Sequence, residues 1–140
     1  MPAVYTAYVL RRLFLPLGLL VALVTAFTAP LLKRYVVEGR SMLRAYAPGD
    51  RLLVERLTYR LREPRVGDAV VVRQPGSDGR LDLKRIAAAP GSTVTVRGEP
   101  FVLGYHEWYL LGDNLDESTD SRSLGPVKRD DIVGRVWRRY

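Results

Sequence analysis

A chain of 140 residues has room for one domain at most, and its net charge of +7, from 22 Lys and Arg against 15 Asp and Glu, is spread along it rather than gathered into a block. There is no basic run with interleaved aromatics and no helix-turn-helix pattern to point to a nucleic-acid partner, whereas an arginine-rich surface also suits anionic lipid headgroups. The absence of cysteine excludes disulfides, zinc-ligand spacings are missing, and His106 is the only histidine.

The first element in chain order is the uncharged run 13–32, LFLPLGLLVALVTAFTAPLL. Its roughly 20 residues would span about 30 Å as a helix, enough to cross a bilayer. A cleaved secretory signal also begins with basic residues such as Arg11 and Arg12. The length of the run, Lys33 and Arg34 directly after it, and Pro30 beside any Ala-x-Ala-like site favour an uncleaved anchor. The expected organisation is therefore a membrane anchor over 1–34 and a β-rich domain over 35–140. Basic residues flank both ends of the run, so charge does not decide the orientation.

Beyond the anchor, glycine or proline punctuates the chain every eight to twelve residues, with β-branched and aliphatic runs between. Strands are expected at Tyr35–Glu38, Arg51–Leu57, Asp68–Arg73, Leu81–Ala88, Ser92–Arg97, Phe101–Leu103, Trp108–Leu111 and Ile132–Trp137. Val70, Val71 and Val72, and the alanine run after Ile86, read as buried on both faces. Thr93–Arg97 alternates like a half-exposed strand. Trp108, Tyr109, Trp137 and Tyr140 are expected in strands and core, and His106 on a surface loop. The fold class is mainly β: a small, bent antiparallel sheet or partly closed barrel, without repeats or a second-domain linker.

Three segments could carry chemistry. Glu38-Gly39-Arg40-Ser41-Met42-Leu43 can form a tight turn presenting a serine hydroxyl, although a serine in a glycine turn is usually only a turn residue. Leu81-Asp82-Leu83-Lys84-Arg85-Ile86-Ala87 puts an amine in an apolar strand. An edge lysine pointing to solvent is the ordinary alternative there, but a buried one loses hydration and is pushed toward its neutral, basic form. An unperturbed lysine is neutral in only about one copy in a thousand near neutral pH, so burial would have to make it a base. The third segment, Leu111-Gly112-Asp113-Asn114-Leu115-Asp116-Glu117-Ser118-Thr119-Asp120-Ser121-Arg122, could pass for a calcium loop. It lacks the glycine and closing glutamate of an EF-hand, and Arg122 would sit poorly beside a cation. No metal or other cofactor is expected.

In this order and behind an apolar N-terminal run, the three segments resemble the bacterial type I signal peptidase family, whose GDN…S.DSR..G signature the third segment follows almost position by position. The resemblance implies a Ser-Lys serine endopeptidase that removes signal peptides from exported preproteins, cutting after small residues of Ala-x-Ala type. Ser41 would be the nucleophile, Lys84 the general base and Ser118 the hydroxyl that orients the Lys84 amine. Asp120 would pair with Arg85, and Asp113 and Arg122 would support the site. The Ser41 backbone N–H would form the oxyanion hole, in the region of Gly39, where some members carry a serine hydroxyl. A substrate strand would pair with Val37-Glu38 and Asp82-Leu83. The chain would sit in the cell membrane by one span with the catalytic part outside the cytoplasm. Its partners would be signal peptides, the lipid bilayer and the translocation machinery, with Met42 and Leu43 at the headgroups.

Lys84 and Arg85 should point to opposite faces of one strand, because successive side chains alternate. Lys84 needs apolar walls and a neutral partner, since a nearby carboxylate would hold it protonated. Where the family usually has proline, this chain has Arg44. The stretch between Gly91 and Leu111 is short, which implies a minimal core without the accessory domain of larger relatives. A self-cleaving Ser-Lys regulator and a catalytically degenerate interaction module of the same fold are the competing readings. The missing DNA-binding helices oppose the first, and Arg44 favours the second.

Overall fold

Apolar residues at successive positions of a strand demand cover on both of its faces, and Ala69–Arg73 meets that demand at the centre of the protein. Val70 and Val72 face one core with Tyr59, Ile86, Trp108, Leu110, Val127 and Ile132, while Val71 faces a second core with Val37, Met42, Leu52, Val54 and Leu83. The computed structural model describes residues 14, 16–26, 31–76 and 78–140. The chain divides into two compact units, Met1–Leu32 and Lys33–Tyr140.

In the first unit the described residues are helical at 14 and over 16–26. Among the described residues no helix is long and apolar enough to cross a membrane. Positions 1–13, 15 and 27–30 of the expected anchor lie outside the described residues, and Leu32 belongs to a strand instead.

The strands are β1 (Leu32–Val36), β2 (Arg51–Glu55), β3 (Ala69–Arg73), β4 (Leu81–Ala88), β5 (Thr93–Val96), β6 (Glu99–Val102), β7 (Glu107–Leu111), β8 (Val127–Lys128) and β9 (Ile132–Arg139). Seven form one curled antiparallel sheet in the order β1-β2-β9-β3-β4-β7-β8, and β5 and β6 form a separate hairpin. The mainly β expectation of a bent, partly closed sheet is met. β4 has the expected limits, whereas β1 starts three residues early and stops before Val37. The expected strand Arg51–Leu57 ends at Glu55, because the Glu55 carboxylate accepts the Thr58 N–H (2.8 Å) and starts a short helix, Thr58–Leu61. A second short helix, Ser121–Leu124, is capped by the Asp120 carboxylate, which accepts the Arg122 N–H. Neither helix has a periodic apolar pattern long enough to read from sequence.

Gly134 is required where β9 crosses β2, because a Cβ there would lie 2.6 Å from the Glu55 carbonyl oxygen. Two expectations about burial fail. Ala87 is exposed rather than covered on both faces, since β4 and β7 slip register between Ile86 and Ala88. Trp137 (56 % exposed) and Tyr140 project into solvent from the outer end of β9, beyond its pairing with β3, while Trp108 and Tyr109 are buried. The β5 strand alternates between exposed and half-buried positions as expected, and His106 lies on the surface.

Candidate active site

β4 carries Lys84 opposite Val70 of β3, so the amine shares its face with Val70 and Ile86, both fully buried. Lys84 itself is 3 % exposed. Burial pushes its amine below the ordinary lysine range. The carboxylates of Asp82 and Asp120 oppose that shift and Arg80 assists it. The Lys84 Nζ lies 3.1 Å from the Ser41 Oγ, in hydrogen-bond contact across 43 positions of sequence.

Ser41 sits in a turn closed by Leu43 N–H to Arg40 C=O (3.1 Å) and Tyr46 N–H to Met42 C=O (2.8 Å). The Gly112-Asp113-Asn114 segment clamps this turn. The Asn114 N–H donates to the Ser41 carbonyl (2.8 Å), the Asn114 Nδ2 to the Arg40 carbonyl (3.1 Å), and the Asp113 N–H to the Met42 sulfur (3.4 Å). Gly112 must lack a side chain, because a Cβ would fall 2.3 Å from the Ser118 Oγ and 2.6 Å from the Ser41 carbonyl oxygen. Sequence reasoning gave Gly112 and Asn114 no individual roles. Their signal was the consecutive Gly-Asp-Asn itself, since a close approach and two anchoring donors fall on adjacent residues.

The partner expected for Arg85 is corrected. Arg85 forms a two-point ion pair with Asp113, Nε to Oδ1 and Nη2 to Oδ2, both at 2.7 Å. The ladder of β4 and β7 puts Arg85 opposite Leu111, so the residue two places beyond Leu111 is the carboxylate within reach. Asp120 is committed elsewhere. It is 1 % exposed and accepts from the Gly112 N–H and from the Arg122 N–H, Nε and Nη2. Burial alone would raise the Asp120 carboxyl pKa, but these donors hold it below the ordinary carboxylate range. Arg122 also caps the carbonyls of Leu115 and Ser118, which supports the loop.

These contacts make a continuous chain. Lys84 is covalently next to Arg85, Arg85 grips Asp113, and Asp113 leads into Asn114, which holds Ser41. The distance between the hydroxyl and the amine is therefore set by groups that themselves stand outside the pair.

Ser118 lies against Gly112, beside Ser41, but makes no bond to Lys84. Its Oγ is buried and has no hydrogen-bond partner of good geometry, although it is near enough to Asp120 to help hold that carboxylate charged. Among the described residues the carboxylate nearest the amine is that of Asp82, whose Oδ2 is 4.0 Å from the Lys84 Nζ because positions two apart on a strand share a face. Asp82 had been expected only as a substrate-pairing residue. Met42 and Leu43 are not free for headgroups: Met42 is 1 % exposed in the second core and Leu43 is half-buried.

Beside Ser41 runs a groove of about 210 Å³, walled by Val37, Glu38 and Gly39 on one side and by Leu81, Asp82 and Leu83 on the other. Arg80 and Tyr35 also line it. Gly39 opens onto free space, and among the described residues the Ser41 N–H donates to no backbone carbonyl. Among the described residues no group of three or more His, Asp or Glu side chains is arranged to hold a metal ion. A turn serine against a buried amine, with a groove alongside, can carry out nucleophilic acyl transfer.

The family model described as signal peptidase, peptidase S26, matches residues 9–103 and 99–140. Among curated proteins, a probable signal peptidase I-1 of Synechocystis is 33% identical over 157 aligned residues, covering 87% of this chain and 79% of that protein. A mitochondrial ATP-independent inner membrane protease subunit 1a of Arabidopsis thaliana is 38% identical over 115 residues, covering 72% and 68%. A signal peptidase I of Leptolyngbya laminosa is 29% identical over 154 residues, covering 89% and 76%. The expected resemblance holds across nearly the whole described domain: the chain belongs to the signal peptidase family, peptidase S26, and is a serine endopeptidase of that family.

Proposed function

We propose that this protein removes N-terminal signal peptides from exported preproteins with Ser41 as nucleophile and Lys84 as general base. The contact of 3.1 Å between a buried amine and a turn hydroxyl carries this reading. Neutral Lys84 takes the Ser41 proton as Oγ attacks the scissile carbonyl. The Ser41 N–H, free of backbone partners, donates to the oxyanion. The protonated Lys84 then gives its proton to the leaving amine, and the neutral amine that results activates the water that hydrolyses the ester.

The substrate enters as an extended strand between Glu38 and Leu83, where the chain edges flank a groove narrow enough to favour small side chains near the cut. The apolar run 13–32 anchors the chain beside its membrane-borne substrates and the translocation machinery, with the peptidase unit outside the cytoplasm. Shared attachment raises the effective concentration of one for the other. Cleavage of a preprotein carrying an Ala-x-Ala site by the wild type, and its loss in Ser41→Ala and in Lys84→Ala, is the expected result. Equal cleavage by all three proteins would remove the Ser-Lys assignment. Digestion of the region after Arg34 by protease added to intact spheroplasts tests the orientation, and protection until lysis would reverse it.

A further inference from the structure

Backbone direction decides which groups in the groove a substrate strand can use. In β4 the Ile86 N–H donates to the Asp68 carbonyl (3.0 Å) and the Ile86 carbonyl accepts from the Gly67 N–H (2.8 Å), so the backbone of Ile86 faces the β3 side. Alternation sends Asp82 and Lys84 the same way, and turns Leu81, Leu83 and Arg85 toward the opposite edge. β7 covers that edge only from Arg85 onward. The edge at Leu83 and Leu81 is left facing the groove. On the other wall, Val37 is spent on Asp50 and Gly49 (2.9 and 2.7 Å), and the next residue, Glu38, has no backbone bond among the described residues.

The Leu81 carbonyl is not open in the same way. The Tyr35 hydroxyl donates to it at 3.3 Å from across the groove, and the Tyr35 ring is packed with Leu81 against the second core. Burial, with Asp82 and Glu38 adding to it against Arg80, pushes the Tyr35 hydroxyl up to about 12, so it keeps its proton throughout the neutral range.

We propose that Tyr35 is a specificity-determining residue that ends the substrate strand at Leu83, by holding the next carbonyl along the edge, that of Leu81, and closing the groove there. This inference rests on the reading of the groove as the substrate site. Residues of a substrate farther from the cut than the Leu83 pairing therefore gain nothing from the protein backbone.

The test is a set of peptides lengthened one residue at a time on the N-terminal side of the cut, assayed with wild type and Tyr35→Phe. In the wild type kcat/KM stops rising once the strand reaches Leu83. In Tyr35→Phe the added residue whose N–H reaches the Leu81 carbonyl raises it by about two- to tenfold, the worth of one added backbone hydrogen bond, with the gain falling on KM. N-methylation of that residue's amide abolishes the gain. The same lengths titrated calorimetrically against Ser41→Ala, with and without Tyr35→Phe, read the effect as binding and need no turnover. Coincident length profiles in both proteins, by kinetics and by binding, overturn the role of Tyr35 alone. Failure of the wild type to cleave or bind any peptide of the set removes the substrate-site reading and this inference with it.

Discussion

Asp82 is the residue most exposed to a decisive perturbation, because its carboxylate stands 4.0 Å from the amine that must be neutral to act. Two unit charges at that distance interact by about 1 kcal/mol in water and by about 4 kcal/mol at an effective dielectric constant near 20. The lower end applies here, since the Asp82 side chain is a quarter exposed and also faces Arg80 at 3.9 Å. A net preference of about 1.4 kcal/mol for protonated Lys84 corresponds to a factor of about ten in its neutral fraction. In Asp82→Asn that preference is gone. On the acidic limb of the pH profile kcat/KM should therefore rise about tenfold over wild type, while the alkaline plateau, where Lys84 is already neutral, reports only changed contacts with substrate. The assay is peptide cleavage followed across the pH range for both proteins. A variant-to-wild-type ratio that is the same on the limb and on the plateau would refute the electrostatic role of Asp82, and a limb displaced to higher pH would reverse its sign.

Gly112→Ala should destabilise the peptidase unit by about 1–3 kcal/mol and lower kcat, because the new Cβ meets both the Ser118 Oγ and the Ser41 carbonyl; thermal denaturation and kcat read the two effects. Lys84 binds fewer protons folded than unfolded at pH values between its depressed folded pKa and its ordinary value, so stability rises with pH through that window. Lys84→Met should abolish cleavage yet be more stable than wild type at neutral pH, with an advantage that shrinks as pH rises toward 10.5, seen as converging denaturant midpoints. Arg44 occupies φ 91°, where a Cβ is crowded, so Arg44→Gly should gain about 1 kcal/mol in a denaturant titration. Arg44→Pro, restoring the residue usual in the family, should lose stability instead, because proline cannot leave φ near −65°.

Local pattern was enough to find much of this protein. The limits of β4, the two-faced burial of Val70 to Val72 and the opposite directions of Lys84 and Arg85 all follow from alternation along one strand. Ser41, Lys84 and the Gly-Asp-Asn segment were marked by residue types that their surroundings in sequence do not explain, and the fold gathers them at one place. The nearness of Asp82 to Lys84 was also legible, since residues two apart on a strand share a face. The short helices and the two-residue strand β8 left no periodic trace, being shorter than the repeat that would reveal them.

The choice of partners belonged to the tertiary structure. Arg85 could have met Asp113 or Asp120 as far as composition goes. It meets Asp113 because the register of β4 against β7 brings that carboxylate alongside and because Asp120 is already surrounded by Arg122 and the Gly112 N–H. Likewise Met42 is drawn into the second core while Trp137 is left in solvent, although hydropathy ranks both as candidates for burial. Alternation is a property of one chain segment, whereas register, bulges and the competition of donors for a carboxylate arise only when distant segments meet, and so the sequence named the participants while the fold paired them.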